Sequence, residues 1–180
     1  GIICIFVIML IKVRGILDFT PEDKTKKHKA QSSWKRVAVI KTNCDLDQYY
    51  AWFLRKRFNL ELNKNLRGSH VTIISDRIDK NIFDEASKIF NNKEIDFYIE
   101  LEPRSNGSHW WLRVHCPESE SIRESMGLSR DPYFGLHLTL GYANEKNKEH
   151  SEYILRCCKN FEIISNTERI NMSDHKIIDF

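Results

Sequence analysis

Apolar residues along this chain fall into short alternating runs, separated by polar turns and by stretches with helical spacing. Arg36 to Lys41 alternates, with Val37 and Val39 on one face, and predicts a first strand. Asp45 with Gln48 three residues on forms a capping-box pattern, which starts a helix over roughly Leu46 to Phe58. A strand over Leu66 to Ser75 comes next. Ile82, Phe83, Ala86, Ile89 and Phe90 then recur at the spacing of one helix face. Ile95, Phe97, Ile99 and Leu101 alternate strictly and make the clearest strand in the chain. The loop from Glu102 to Ser108 holds Pro103, Asn106 and Gly107, and His109 to His115 returns as a strand, so the two are expected to form a hairpin. A short helix over Glu118 to Met126 stops at Gly127, and Tyr153, Ile154, Cys157 and Cys158 mark a last helix. Strands and helices mix without a βαβ rhythm. The pattern predicts an α+β domain built on a mostly antiparallel sheet.

The two ends carry less pattern. Ile2 to Ile11 is an unbroken apolar run followed by Lys12 and Arg14. Ten residues are too few to cross a bilayer as a helix, and the run lacks the basic start and small-residue cleavage site of a secretory signal. A packed strand, an anchor and an accident of where the chain starts remain open readings of it. Thr20 to Ser33 is polar, with Lys24, Lys26, Lys27 and Lys29, and reads as a solvated arm. These features divide the chain into residues 1–33, a domain over 34–161 and a tail over 162–180 of weak periodicity.

Two strand-like segments share one pattern: His70-Val71-Thr72-Ile73 and His137-Leu138-Thr139-Leu140. Side chains alternate across a strand, so each segment has an apolar face and a face pairing an imidazole with a hydroxyl. Two such matches arise by chance in roughly one chain in two hundred of this composition. Facing each other, His70, Thr72, His137 and Thr139 would supply a general base, a general acid and two hydroxyl donors. Phosphodiester cleavage without a metal requires that set. The other histidines lack it: His109 and His115 have no threonine at i+2, and His28, His150 and His175 sit in polar surroundings.

Four further residues are candidates for substrate contact. Trp110 joins Leu112 and Val114 on the core face, leaving Trp111 beside Arg113 and His115, where a ring can stack on a base. Arg130 and Tyr133 lie in the loop before the second motif, placed to line an entrance. Tyr142 lies beyond Thr139 on the opposite parity, so only a turn at Gly141 would bring it to the histidines.

Composition narrows the picture. The 180 residues, 41% hydrophobic and 29% charged, suit one soluble domain. A net charge of +3 permits a phosphate-bearing ligand but is far from the balance of a non-specific DNA binder, so no duplex partner is expected. Cys4, Cys44, Cys116, Cys157 and Cys158 are odd in number and irregularly spaced, which suggests reduced thiols in a cytosolic protein. No zinc spacing, Gly-rich phosphate loop or dinucleotide fingerprint is present, and no metal or cofactor is expected.

The paired His-x-Thr tetrapeptides resemble those that define the 2H phosphoesterase superfamily, over a stretch from about Trp34 to Phe161. Gly68-Ser69-His70-Val71-Thr72-Ile73 and Tyr133-Phe134-Gly135-Leu136-His137-Leu138-Thr139-Leu140-Gly141-Tyr142 also look like phage anti-CBASS nucleases. That resemblance implies a two-lobed fold whose antiparallel sheets form a central cleft flanked by helices. It implies a metal-independent phosphodiesterase with His70, Thr72, His137 and Thr139 as catalytic residues. Its substrates would be the cyclic di- or trinucleotides of bacterial antiviral signalling, degraded in the host cytoplasm. A membrane partner is not expected. An RNA 2′,3′-cyclic phosphodiesterase and a non-catalytic nucleotide-sequestering protein are the alternatives. Which histidine is base and which acid stays open.

Overall fold

In the computed structural model, which describes residues 8–21, 36–65, 67–157 and 170–179, the end of the amino-terminal apolar run is a strand, β1 (Met9–Asp18). Lys12 and Arg14 do not end the run. They are its outward residues, and their charges meet Asp96, Asp179 and Glu94 on neighbouring strands. β2 (Ala38–Lys41) and β5 (Glu94–Glu100) flank β1 in antiparallel register, and β9 (Lys176–Asp179) pairs with it in parallel. Segments before residue 34 and after residue 161 thus contribute strands to the same sheet as the segment between them. The first seven residues, the Lys-rich segment 22–35 and Cys158 lie outside the described residues.

The remaining strands are β3 (Asn63–Lys64), β4 (His70–Ile74), β6 (Arg104–Ser105), β7 (His109–His115) and β8 (His137–Tyr142). Pairing runs β8-β4-β2-β1-β5-β7, and β7 pairs back onto β8, so six strands close a barrel, antiparallel at each step. β3 and β6 add short edges to β8 and β7. The hairpin expected from the sequence is the β5–β7 pair.

Four helices complete the mixed α+β fold: α1 (Leu46–Phe58), α2 (Lys80–Phe90), α3 (Pro117–Ser125) and α4 (Glu145–Cys157). Asp45 makes no side-chain cap to α1. The Asp47 N–H instead donates to Ser69 Oγ (3.3 Å), and Ser69 Oγ donates to Asp47 Oδ1 (2.6 Å), tying the start of α1 to the chain before β4. Asp79 does cap α2.

The buried apolar residues of all four helices join Val71, Ile73, Leu112, Val114, Leu138 and Phe97 in one hydrophobic cluster. Trp110, on that face, is fully buried and its indole N–H donates to Ser151 Oγ of α4 (2.8 Å). The helices thus take the apolar face of the sheet, and the histidines and threonines are on the other.

Candidate active site

Val71 of β4 is paired with Leu138 of β8. Extended one residue each way, this antiparallel register sets His70 beside Thr139 and Thr72 beside His137 on the shared polar face. His70 and His137, 67 apart in sequence, thus become diagonal neighbours across the pair, about 7–8 Å from each other. The register extends the rows outward. Trp111 of β7 pairs with Thr139 and Arg113 with His137, while Lys41 of β2 pairs with His70. Crossing the sheet, one row reads Trp111, Thr139, His70, Lys41, and the next reads Arg113, His137, Thr72.

The two histidines are held alike. His70 Nδ1 lies 2.9 Å from the Gly68 carbonyl oxygen, and His137 Nδ1 lies 2.9 Å from that of Gly135. A carbonyl only accepts, so each Nδ1 carries the hydrogen and donates it. In each neutral ring Nε2 is then the nitrogen without a hydrogen. Gly68 and Gly135 both adopt left-handed backbone, at φ 71° and 68°, which turns their carbonyls back to the ring two residues on. The repeated unit is therefore Gly-x-His-x-Thr. In the sequence the only sign of this role is that Gly68 and Gly135 stand at the same spacing before their histidines.

Symmetry extends past the threonines. In β4 the pairing to β2 jumps from Thr72 to Ile74, and in β8 the pairing to β7 jumps from Thr139 to Gly141. Each motif strand carries a bulge at the residue after its threonine, and the bulge reverses the parity of the residues beyond it. Tyr142 is thereby brought opposite His109, with ring centroids 6.3 Å apart, onto the face of Trp111 and the quartet. The turn that the sequence required for Tyr142 is this bulge.

The surroundings are electrostatically biased. Burial pulls the His70 imidazole below its usual 6.5, with Arg67 and His137 acting in the same direction and the Gly68 bond and Asp47 opposing. Burial likewise lowers His137, aided by Arg113 and His109 and opposed by the Gly135 bond. Arg113 is buried, and its Nη1 donates to the carbonyls of Val114 and Leu136 (3.1 Å for Leu136), the residue just before His137. The sequence offers it only as the neighbour of Trp111 on the polar face, suited to phosphate contact, and alternation does not show that it is buried. Thr72 and Thr139 are half-buried, and neither hydroxyl has a hydrogen-bond partner among the described residues.

The other two predicted contacts lie in the loop that leads into β8. Arg130 Nε and Nη2 donate to Asp131 Oδ2 (2.8 and 2.5 Å). Tyr133 is 90% exposed, edge-on to Phe134 at 4.8 Å. Among the described residues no cluster of three or more His, Cys, Asp or Glu is placed to hold a metal ion. No helix of the described residues is long and apolar enough to cross a membrane. Neither a family model, nor a curated protein, nor a solved structure matches the chain.

Proposed function

We propose that this protein is a phosphodiesterase that cleaves RNA-type linkages with two histidines and no metal. The supporting observation is the pairing of two Gly-x-His-x-Thr units on adjacent strands, with Nδ1 of each ring donating to a glycine carbonyl and both threonine hydroxyls unpartnered among the described residues. On this reading the polar sheet face is the cleft of a two-lobed, 2H-like fold, with the scissile phosphate between His70 and His137.

The chemistry closes without an added reagent. One neutral Nε2 takes the proton of a ribose 2′-hydroxyl, and the 2′-oxygen bonds to phosphorus. The bond to the 5′-oxygen breaks, and the other, protonated, Nε2 supplies that oxygen's proton. The products are a 2′,3′-cyclic phosphate and a 5′-hydroxyl. Thr72 and Thr139 donate to the non-bridging oxygens as charge gathers on them, and the buried Arg113 adds a fixed positive charge beside His137. The low-lying imidazole pKa values fit this role. Both rings rest neutral, and the anionic diester between them favours uptake of the one proton the acid needs. Substrates of the resembled branch, cyclic di- and trinucleotides whose loss blocks antiviral signalling, are the first to test.

The experiment is incubation with cyclic dinucleotides, cyclic trinucleotides and RNA ending in a 2′,3′-cyclic phosphate, with EDTA present. Linear products from the cyclic oligonucleotides are expected, and their 2′-deoxy counterparts should bind yet resist cleavage. Turnover of the RNA ends alone would make water the nucleophile at the same four residues. Release of intact ligand on denaturation would mean sequestration, and loss in EDTA with rescue by a divalent ion would mean a metallophosphodiesterase.

A further inference from the structure

A concavity opens on the same sheet face, one strand away from His70. Its volume is about 610 Å³, and Arg14, Asp18, Lys41, Asn43, Asn92 and Glu94 line it. The registers locate it. His70 pairs with Lys41, Lys41 with Ile16 and Ile16 with Glu94, so one row of residues runs from the imidazole across the cavity floor. Alternation along β1 puts Arg14 and Asp18 on that face as well.

The lining chemistry selects the occupant. Lys41 is ion-paired with Asp18, and Arg14 with Glu94 (3.6 Å) and Asp96 (3.2 Å), so the cavity has polar walls but its charges are balanced. It has no excess positive charge to hold a phosphate of its own. Asn43 and Asn92 are exposed, and their side-chain amides have no hydrogen-bond partner among the described residues. Each offers two donors and an acceptor, the complement of a nucleobase edge or a ribose. The volume falls within the 300–1,000 Å³ typical of small-ligand pockets. On the opposite flank of the quartet stands Trp111, suited to stack a base.

We infer that this cavity holds the second nucleoside of the substrate, on the side of the scissile phosphate away from Trp111, so that the protein acts on units of at least two nucleotides. The inference rests on the proposed phosphodiesterase reading, since the quartet must hold the phosphate between the two flanks. It accounts for a polar, charge-balanced pocket beside a catalytic strand, which a 2′,3′-cyclic mononucleotide would leave empty.

The test is a binding experiment independent of turnover. Amide chemical shifts of the full chain are followed on titration with a 2′-deoxy cyclic dinucleotide and, separately, with a 2′,3′-cyclic mononucleotide. The dinucleotide is expected to move His70, His137, Lys41, Asn43 and Asn92, and the mononucleotide only the first two. Asn43→Ala and Lys41→Met should each weaken the dinucleotide at least tenfold and the mononucleotide less than twofold, with the amide spectrum reporting an intact fold. Mononucleotide shifts at the histidines with no dinucleotide effect at the cavity, or equal affinity in both variants, would overturn the subsite alone. Absence of shifts at His70 and His137 with either ligand would overturn the phosphodiesterase reading and the subsite with it.

Discussion

At the scale of single residues, the site depends on one nitrogen in each of two rings. Because Nδ1 of His70 and His137 is spent on a glycine carbonyl, Nε2 is the only atom of either ring that can exchange a proton with substrate. His70→Ala and His137→Ala should each lower kcat at least about a hundredfold, as for loss of a positioned acid or base. The double variant should be little worse than the poorer single one, because the pair acts as a unit. Near-normal kcat in either single variant would refute the two-histidine mechanism. The pH dependence comes from the same rings. Burial holds both below 6.5, and activity needs one neutral and one protonated. The value of kcat/KM, which reports the free enzyme, should therefore peak below pH 6.5 and fall as pH rises through neutrality. Bound phosphate raises both values, so the kcat profile should lie to the alkaline side of the kcat/KM profile. A kcat/KM maximum above neutrality would contradict these environments.

At the scale of elements, the two motif strands are matched units: left-handed glycine, histidine, threonine, bulge. Gly68→Ala tests the first part. A Cβ at Gly68 would meet nothing within 4 Å, so its cost is the left-handed backbone itself, about 1–2 kcal/mol. Urea denaturation should show that loss. If the turn relaxes to avoid it, the Gly68 carbonyl leaves His70 and kcat drops while the fold is kept. Full activity with full stability would mean the turn does not orient the ring. The alternation rule read Trp110 and Trp111 onto opposite faces, because the extra residue of the bulge opposite them belongs to β8 and β7 keeps its own alternation. It could not place Tyr142, because a bulge is a property of two paired strands and leaves no period in one of them. The helices were legible for a similar reason. Phe83 and Ala86 face the core at helical spacing, but Ile82 and Ile89 of the same pattern are 45% and 54% exposed.

At the scale of the whole molecule, one buried side chain ties the halves of the site together. Arg123 of α3 is fully buried and donates to the Ile73 carbonyl (2.8 Å) at the end of β4, to both carboxylate oxygens of Asp76 (2.7 and 3.1 Å) and to the Ser129 and Asp131 carbonyls (2.8 and 3.2 Å). It thus joins the first motif strand to the loop that leads into the second. Arg123→Met strands a carboxylate and three carbonyls and should cost about 3–5 kcal/mol in chemical denaturation. A loss under about 1 kcal/mol would mean water replaces the clamp. The Arg123 hydrogen bonds hold the Asp76 carboxyl below its usual 3.8. Its contribution is present above that value and lost as pH falls through the lower folded one. Asp76→Asn should therefore be less stable than wild type near neutrality and lose less on acidification, as measured by thermal unfolding at each pH.

The sequence by itself determined most of the elements of the central segment and the four side chains of the candidate site. Alternation and helical spacing are local, and a His-x-Thr pair on one strand face comes from a two-residue period whatever the strand pairs with. What only the tertiary structure decided is everything that needs two distant segments. The β4–β8 register set each histidine beside the other motif's threonine. The β7–β8 register placed the buried Arg113 against His137. The flanking charges of β1 hid a strand that crosses half the sheet, because Lys12 and Arg14 look like a boundary until Asp96 and Glu94 are seen opposite them. Pairing energy is shared between strands far apart in the chain, and no window on one of them contains it.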